Sequence, residues 1–376
     1  LKPIDQKALQ AVVSDTARKL YLPGALVLVR TPHGRFTAAY GTTELGSRSR
    51  PGPQTYFRIA SITKTMTSAL ILQLAQEGKL RLGDRIAKYV SSVPNGGNIT
   101  LAQLLEMRSG LYDYTSAPEM AGHLDHHPTK AWTPRELLAI SFARPPNFPP
   151  GTAYEYSNTN YALLGLVIEK VDCRPLAVAM RERLFRPLGM KDTVLPPRTS
   201  NRIPEPHARG YLYGSASAVT TGIPSPPYDA RFLAGVEAGR IRPRDYTGVN
   251  HSFATAAGGV ISTAEDLATW IRALVGGRVL DARYQRIWRA SPKPASGGLD
   301  YGYGINRLRW GGNTVYLHGG ETVGYNSEAV YDPENKVTLV LWTNLTLSPR
   351  EELTANRLML AVLDLIYKQS PLGARP

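Results

Sequence analysis

The stretch FRIASITKTM, residues 57–66, decides how the rest of the chain is read. It holds Ser61 and Lys64 three residues apart, and an apolar run follows: Ala69, Leu70, Ile71, Leu72 and Leu74. The pattern predicts a helix from Ser61 to about Glu77, with Gly78 placed to end it. Residues i and i+3 share a helix face, so Lys64 there reaches the Ser61 hydroxyl. A free serine hydroxyl is a weak nucleophile and needs a base beside it. Lysine is a base only when neutral, and burial or a nearby positive charge lowers its pKa toward that state. A serine at a helix start also offers its own N–H to a developing oxyanion. The same pair is equally a capping serine with a solvated lysine, so Ser-x-x-Lys gains meaning only from its context.

The bulk of the chain supplies part of that context. Its 376 residues suffice for a large core and two structural regions. A hydrophobic share of 43% against 20% charged points to a soluble globular protein. No apolar run approaches the ~20 residues of a membrane-spanning helix. Cys173 is the only cysteine, which excludes an intrachain disulfide and a cysteine metal cluster. Lysine and arginine total 44 against 30 acids, a net charge of +14. A surface that basic favours anionic surroundings, so an association with cell-wall polymers or a membrane surface is expected. No nucleic-acid motif and no basic stripe with interleaved aromatics occurs, and nucleic acid is not expected as a partner.

Along the chain, residues 24–41 read as two strands around a Pro-His-Gly turn. Between 84 and 195 lie four helix-like segments, TLAQLLEM, TPRELLAISFA, YALLGLVIEKV and LAVAMRERLF. Residues 201–250 are rich in Pro, Gly and small side chains and read as a long excursion with little regular structure. STAEDLATWIRALVGG, 262–277, has a capping start and a glycine stop. Strand-like runs follow at 301–309, 313–318, 325–332 and 336–344, the last two joined by a turn at Asp332-Pro333-Glu334-Asn335. EELTANRLMLAVLDLIYK closes the chain as an amphipathic helix. The expected fold class is therefore α/β, an antiparallel sheet covered by helices, with an inserted all-helical domain. Residues 1–80 and 255–376 form the sheet domain, and 81–254 the insertion. A cleft between the two is where a site belongs.

Two further segments bear on Ser61. YEYSNTN holds Tyr156 and Asn158 just before a helix, and YLHGGETVGYNS holds His318, Gly319, Gly320 and Glu321 at the end of a late strand. A tyrosine facing Ser61 can shuttle a proton, provided nearby cations hold its pKa down. An asparagine can hydrogen-bond both a substrate amide and Lys64. Glycines after His318 let an edge strand approach a substrate closely. HLDHH, with His123, Asp125, His126 and His127, has metal-binding residue types without a second cluster, and reads as a polar loop over the cleft. No Gly-x-Ser-x-Gly occurs, which disfavours an α/β-hydrolase.

At these motifs the chain resembles the penicillin-recognising serine hydrolases: class C β-lactamases, serine D-alanyl-D-alanine carboxypeptidases and their esterase relatives. FRIASITK, LLQLAQEGKL, MRSGLYDYT, YSNTNYALLGLVIEK and AAGGVISTAEDL carry the likeness, which is nearest to the soluble actinomycete-type carboxypeptidases and runs from about Pro23 to Leu363. The resemblance implies a β-lactamase/DD-peptidase-like fold with no metal and no cofactor. It implies Ser61 as acylated nucleophile, Lys64 as its partner, Tyr156 as general acid/base and Asn158 as a substrate-amide ligand. His318 takes the first place of a Lys/His-x-Gly motif, and Phe253 lines the pocket. A small-molecule or peptide substrate is implied, whether a peptidoglycan-like peptide, an ester or a β-lactam, in a secreted or cell-envelope protein whose leader is removed.

The departures are specific. The carboxypeptidases read a free substrate carboxylate with threonines beside His-x-Gly and an arginine on the preceding strand. Here the threonine places hold Gly319 and Glu321, while Arg307 and Arg309 flank Leu308 at the arginine's nominal place. The Glu321 charge repels a carboxylate unless one of those arginines neutralises it. Esterase or amidase activity, weak β-lactamase activity and an idle penicillin-binding module stand as alternatives to carboxypeptidase action.

Overall fold

The computed structural model describes residues 2–367. Eight antiparallel strands form one sheet. In spatial order they are Gly34–Gly41, Gly24–Thr31, Val337–Thr343, Tyr325–Asp332, Asn313–Thr322, Asn306–Trp310, Asp300–Tyr301 and Lys293–Pro294. The chain's first hairpin thus pairs with its last strand, Leu26 opposite Trp342 and Leu28 opposite Val340. Both faces of the central strands are buried, and the period-two alternation separates two cores. Ala25, Val27 and Val29 face one core while Leu26 and Leu28 face the other.

The first core lies under two helices at opposite ends of the sequence, Gln6–Lys19 and Thr354–Ile366. The opening helix is absent from the sequence reading above. Its signal is the four-residue spacing of buried Leu9, Val13 and Ala17, with Asp5 capping the Ala8 N–H. The closing helix starts at Thr354 rather than Glu351, and Lys368 lies outside the described residues.

The second core holds the helix Thr63–Gln76. It is preceded by a single 3-10 turn, Ala60–Ile62, and stopped by Gly78 at φ +71°. Nearly every side chain on it is buried, polar ones included, so those polar groups need partners inside the protein. They have them: Thr67 donates to the Ala256 carbonyl at 2.7 Å, Ser68 to the Tyr303 carbonyl at 2.8 Å, and Thr65 accepts from the Trp270 indole at 2.7 Å. These bonds fix the helix axially and in rotation.

The four helix-like segments appear as Leu101–Leu105, Pro134–Phe142, Asn158–Asp172 and Leu176–Met180, the last running into a π turn, Arg181–Phe185. Two expectations are corrected. HLDHH is not a loop over the cleft: His123 to His126 finish the helix Pro118–His126. Asp125 accepts from the Tyr246 hydroxyl at 2.6 Å and from the Ala216 N–H, and so ties this helix to the segment behind it. Residues 201–250 are also more ordered than their composition suggested. They hold the helix Ala230–Glu237 and a strand pair, Tyr211–Leu212 with Arg244–Asp245. Asp229 caps that helix, and Phe232 stacks on Tyr228 at 4.6 Å. The 301–309 run is split by a turn at Gly304, φ +69°. A Cβ there would stand 2.7 Å from Ser68 Cβ and 2.8 Å from the Lys64 carbonyl, so the turn packs directly on the buried helix.

Candidate active site

Ser61 lies on the floor of a cleft of about 570 Å³ between the strand Asn313–Thr322 and the helical region. Ala60, just before it, is held at φ +46°, a left-handed conformation that costs a non-glycine residue about 1–3 kcal/mol. That bend turns the chain from the strand Phe57–Arg58 into the turn carrying Ser61. Lys64, fully buried one turn on, directs its Nζ to three oxygens: Ser61 Oγ at 2.8 Å, Asn158 Oδ1 at 2.7 Å and the Ala257 carbonyl at 2.8 Å. Burial lowers its pKa to about 7, with the Asp113 carboxylate pulling the other way. The environment thus supplies a lysine neutral for part of the time near neutral pH, in contact with a serine hydroxyl.

Tyr156 stands beside this pair, with Lys64 Nζ 4.7 Å from its ring centre. Here the structure corrects the sequence reading. Burial pushes the phenol well above its usual pKa, only partly countered by the Ser61 side chain. Tyr156 is therefore a neutral phenol at rest, able to give a proton rather than to begin by taking one.

Asn158 opens the helix Asn158–Asp172. Its carbonyl oxygen accepts from Lys64, while its amide nitrogen donates to Asp113 Oδ2 at 3.2 Å and Thr115 Oγ1 at 3.0 Å. Both ends of the side chain are engaged by protein groups, which assigns it to holding Lys64 in place. Asp113 and Thr115 were not singled out in the sequence. Asp113 also accepts the Asn158 N–H at 3.3 Å, an anion at a helix start. Its only sequence trace is its place in MRSGLYDYT, since a carboxylate buried in a loop has no periodicity to reveal it.

His318 is 2% exposed and its imidazole is engaged on both sides. Nδ1 donates to the Gly319 carbonyl at 2.7 Å, which leaves Nε2 to accept from the Tyr301 hydroxyl at 3.1 Å. Burial and the Lys64 charge lower its pKa to about 3, so it is a neutral wall of the cleft rather than a cation for a substrate carboxylate. Gly320 is required by packing: a Cβ would stand 2.1 Å from the Ile59 carbonyl. The glycine thus lets the strand approach the Ser61 segment closely, where the expectation was a close approach to substrate. The strand is also interior to the sheet, not an edge. Its cleft-side neighbour, Asn306–Trp310, pairs only as far as Leu317, so residues 318–322 present an uncovered edge. The two-residue turn Val323-Gly324 closes the Thr322–Tyr325 pair, and antiparallel alternation then turns the Glu321 N–H toward that edge.

Phe253 lines the cleft, as does Glu321. Arg307 and Arg309 do not. Arg307 is paired with Asp300 at 2.5 Å, and among the described residues neither arginine bridges to Glu321. The side chain of Glu321 is open to solvent, yet crowding inside the cleft pushes its carboxyl up to about 7. Sequence reasoning left one further group unseen. Glu328, on the neighbouring strand opposite Gly319, is 4% exposed and lines the same cleft.

The chain is similar to known proteins over nearly its whole length. The family model described as Beta-lactamase matches residues 9–364. A D-stereospecific amidohydrolase from Streptomyces sp. is 30% identical, with a TM-score of 0.80 over 95% of this chain and 98% of that one. The D-amino acid amidase from Ochrobactrum anthropi SV3, complexed with D-phenylalanine, is 27% identical with a TM-score of 0.81, over 96% and 98% of the two chains. Protein flp of Staphylococcus aureus (strain MW2) is 32% identical over 226 residues, 57% of this chain. The chain spans 43% of that curated relative's length.

Proposed function

Since this chain belongs to the beta-lactamase family, we propose that it is a serine hydrolase that cleaves amide or ester bonds of small molecules or peptides through an acyl-enzyme on Ser61. The observation that carries the reading is the 2.8 Å contact between Ser61 Oγ and a buried Lys64 whose pKa is lowered to about 7. In the proposed cycle, neutral Lys64 takes the Ser61 proton as Oγ attacks the substrate carbonyl. The N–H groups of Ser61 and Glu321 hold the resulting oxyanion. Tyr156 gives its proton to the leaving nitrogen or oxygen and is reprotonated by the Lys64 ammonium, so the proton count closes. A water then attacks the acyl carbonyl, giving its proton to the same pair, which passes it to Ser61 Oγ as the ester bond breaks and the acid leaves.

The charge around the site favours amidase or esterase action over carboxypeptidase action. His318 is neutral, no arginine among the described residues pairs with Glu321, and the threonine places are empty of hydroxyls. The structural relatives named as a D-stereospecific amidohydrolase and a D-amino acid amidase make D-amino-acid amides the first compounds to assay. The test is intact-protein mass spectrometry after treatment with a fluorophosphonate. One adduct is expected, mapped to the Ser61 peptide and absent from Ser61→Ala. An adduct elsewhere, or one that persists in the variant, overturns the assignment. Turnover of an amide or ester by the wild type distinguishes an enzyme from an idle binding module.

A further inference from the structure

The protein carries 44 lysines and arginines, yet among the described residues none lines the cleft, Lys64 lying buried behind Ser61. Three carboxyl groups do: Asp113, Glu321 and Glu328. Asp113 is occupied by Asn158 and Thr115. The other two stand on adjacent strands. Gly319 pairs with Glu328 and Glu321 with Asn326, so Glu321 and Glu328 share one face of the sheet, two positions apart along it.

Glu328 is the unusual member. The Asn356 side chain on the helix Thr354–Ile366 hydrogen-bonds the carboxyl, while its Oε2 is buried and has no partner of its own. A buried carboxyl oxygen without a partner is costly and calls for one. Gly319 is what makes room for it: a Cβ on that residue would stand 2.9 Å from Glu328 Oε1 and 3.2 Å from Oε2. The carboxyl therefore fills the space a side chain at 319 would occupy. Beside it, on the face away from His318 and Gly320, Glu321 stands exposed at the rim of the cleft with no ion-pair partner among the described residues. Burial favours the protonated form of Glu328, and an arriving cation would shift it toward the carboxylate.

We propose that the cleft takes substrates bearing a positively charged amino group, and that the Glu321 carboxylate, backed by Glu328 beneath Gly319, receives it along the uncovered strand edge. The proposal rests on the serine-hydrolase reading above and adds the charge class of its substrate. A primary ammonium has three donors, enough to meet Glu321 directly and the Glu328 side of the cleft with another. A substrate carboxylate in the same place meets two acids and no cation.

The test uses full-length protein and two matched series of activated esters or anilides. One series varies the acyl part, the other the leaving group, each as ammonium, neutral isostere and carboxylate. In at least one series the ammonium member is expected to exceed its neutral isostere in kcat/KM by about ten- to hundredfold, the range for a hydrogen bond to a charged group. That ratio should collapse in Glu321→Gln and fall in Glu328→Gln. Glu321→Lys should raise the carboxylate-to-neutral ratio instead. A flat ratio in both series, or an ammonium preference that survives Glu321→Gln, overturns the proposal. Fluorophosphonate labelling of Ser61 is run on every variant. Labelled protein with a flat ratio rejects only the charge assignment, whereas wild type that neither labels nor turns over rejects the hydrolase reading itself.

Discussion

Lys64 gathers the local chemistry into one side chain. Its neutral form is what the burial favours, and its three hydrogen-bond partners are all oxygens that fix where Nζ sits. Lys64→Ala and Tyr156→Phe should each lower kcat by roughly 10²–10⁴. Because both act on the same proton, the double variant should lose much less than the product. Steady-state kinetics on one amide checks this, and independent effects would mean that the two residues do not share a proton path. Asp113 offers a sharper test. Its charge raises the Lys64 pKa, so Asp113→Asn should move the rising limb of the kcat/KM profile to lower pH. A purely structural loss would lower the whole profile without shifting it. Ser61 and Lys64 were legible from their spacing, and Tyr156 and the His318 strand from the resemblance that YSN and HGG bear to a known family. Asp113 and Glu328 were not, since each acquires its role only when distant segments meet: residues 113 and 158 in one case, strands 319 and 328 in the other.

Two elements clamp the buried helix that carries Lys64, and both do so through glycine. The strand Asn313–Thr322 approaches the Ile59 carbonyl at Gly320, and the turn before Asn306–Trp310 approaches the Lys64 carbonyl at Gly304. Gly320→Ala should destabilise the protein by about 1–3 kcal/mol, the cost of overpacking, with loss of activity as the strand moves off Ser61. Urea unfolding measures the first, and unchanged stability would show that the strand has slack. Glu328 gives the sheet a pH signature. Its carboxyl is raised to about 8, so the folded state holds its proton where the unfolded chain has lost it. Its contribution is complete at acid pH below the unfolded value and is lost as pH rises through about 8. Glu328→Gln should therefore gain Tm relative to wild type between pH 6 and pH 9, and a constant difference would deny that Glu328 is buried in its acid form. At this scale the central strands and the capped helices were readable, because period-two and 3.6-residue patterns are local. The helix Gln6–Lys19 carries only three buried residues at four-residue spacing, a weak local signal. Ala230–Glu237 lay hidden in a Pro- and Gly-rich stretch whose order comes from Tyr213 and Tyr228 packing on Phe232.

Across the whole molecule, a basic exterior surrounds an acidic cleft. The net charge of +14 is expected to bring the protein to anionic polymers, with retention that falls as salt screens it. The sheet unites the two ends of the sequence, and the helical region between them supplies Tyr156, Asn158 and Asp113 to a serine and lysine that precede it. Each side alone is an incomplete site, and the account depends on their meeting around one serine whose proton goes to a lysine. The pH dependence of the second-order rate constant for fluorophosphonate labelling of Ser61 tests that most directly, because it reads nucleophile activation without any choice of substrate. The rate should rise with pH through a single ionisation near 7, and Lys64→Ala should label slowly with that limb gone. A wild-type rate flat through this range, or a limb that survives in Lys64→Ala, would contradict the assignment of Lys64 as the base.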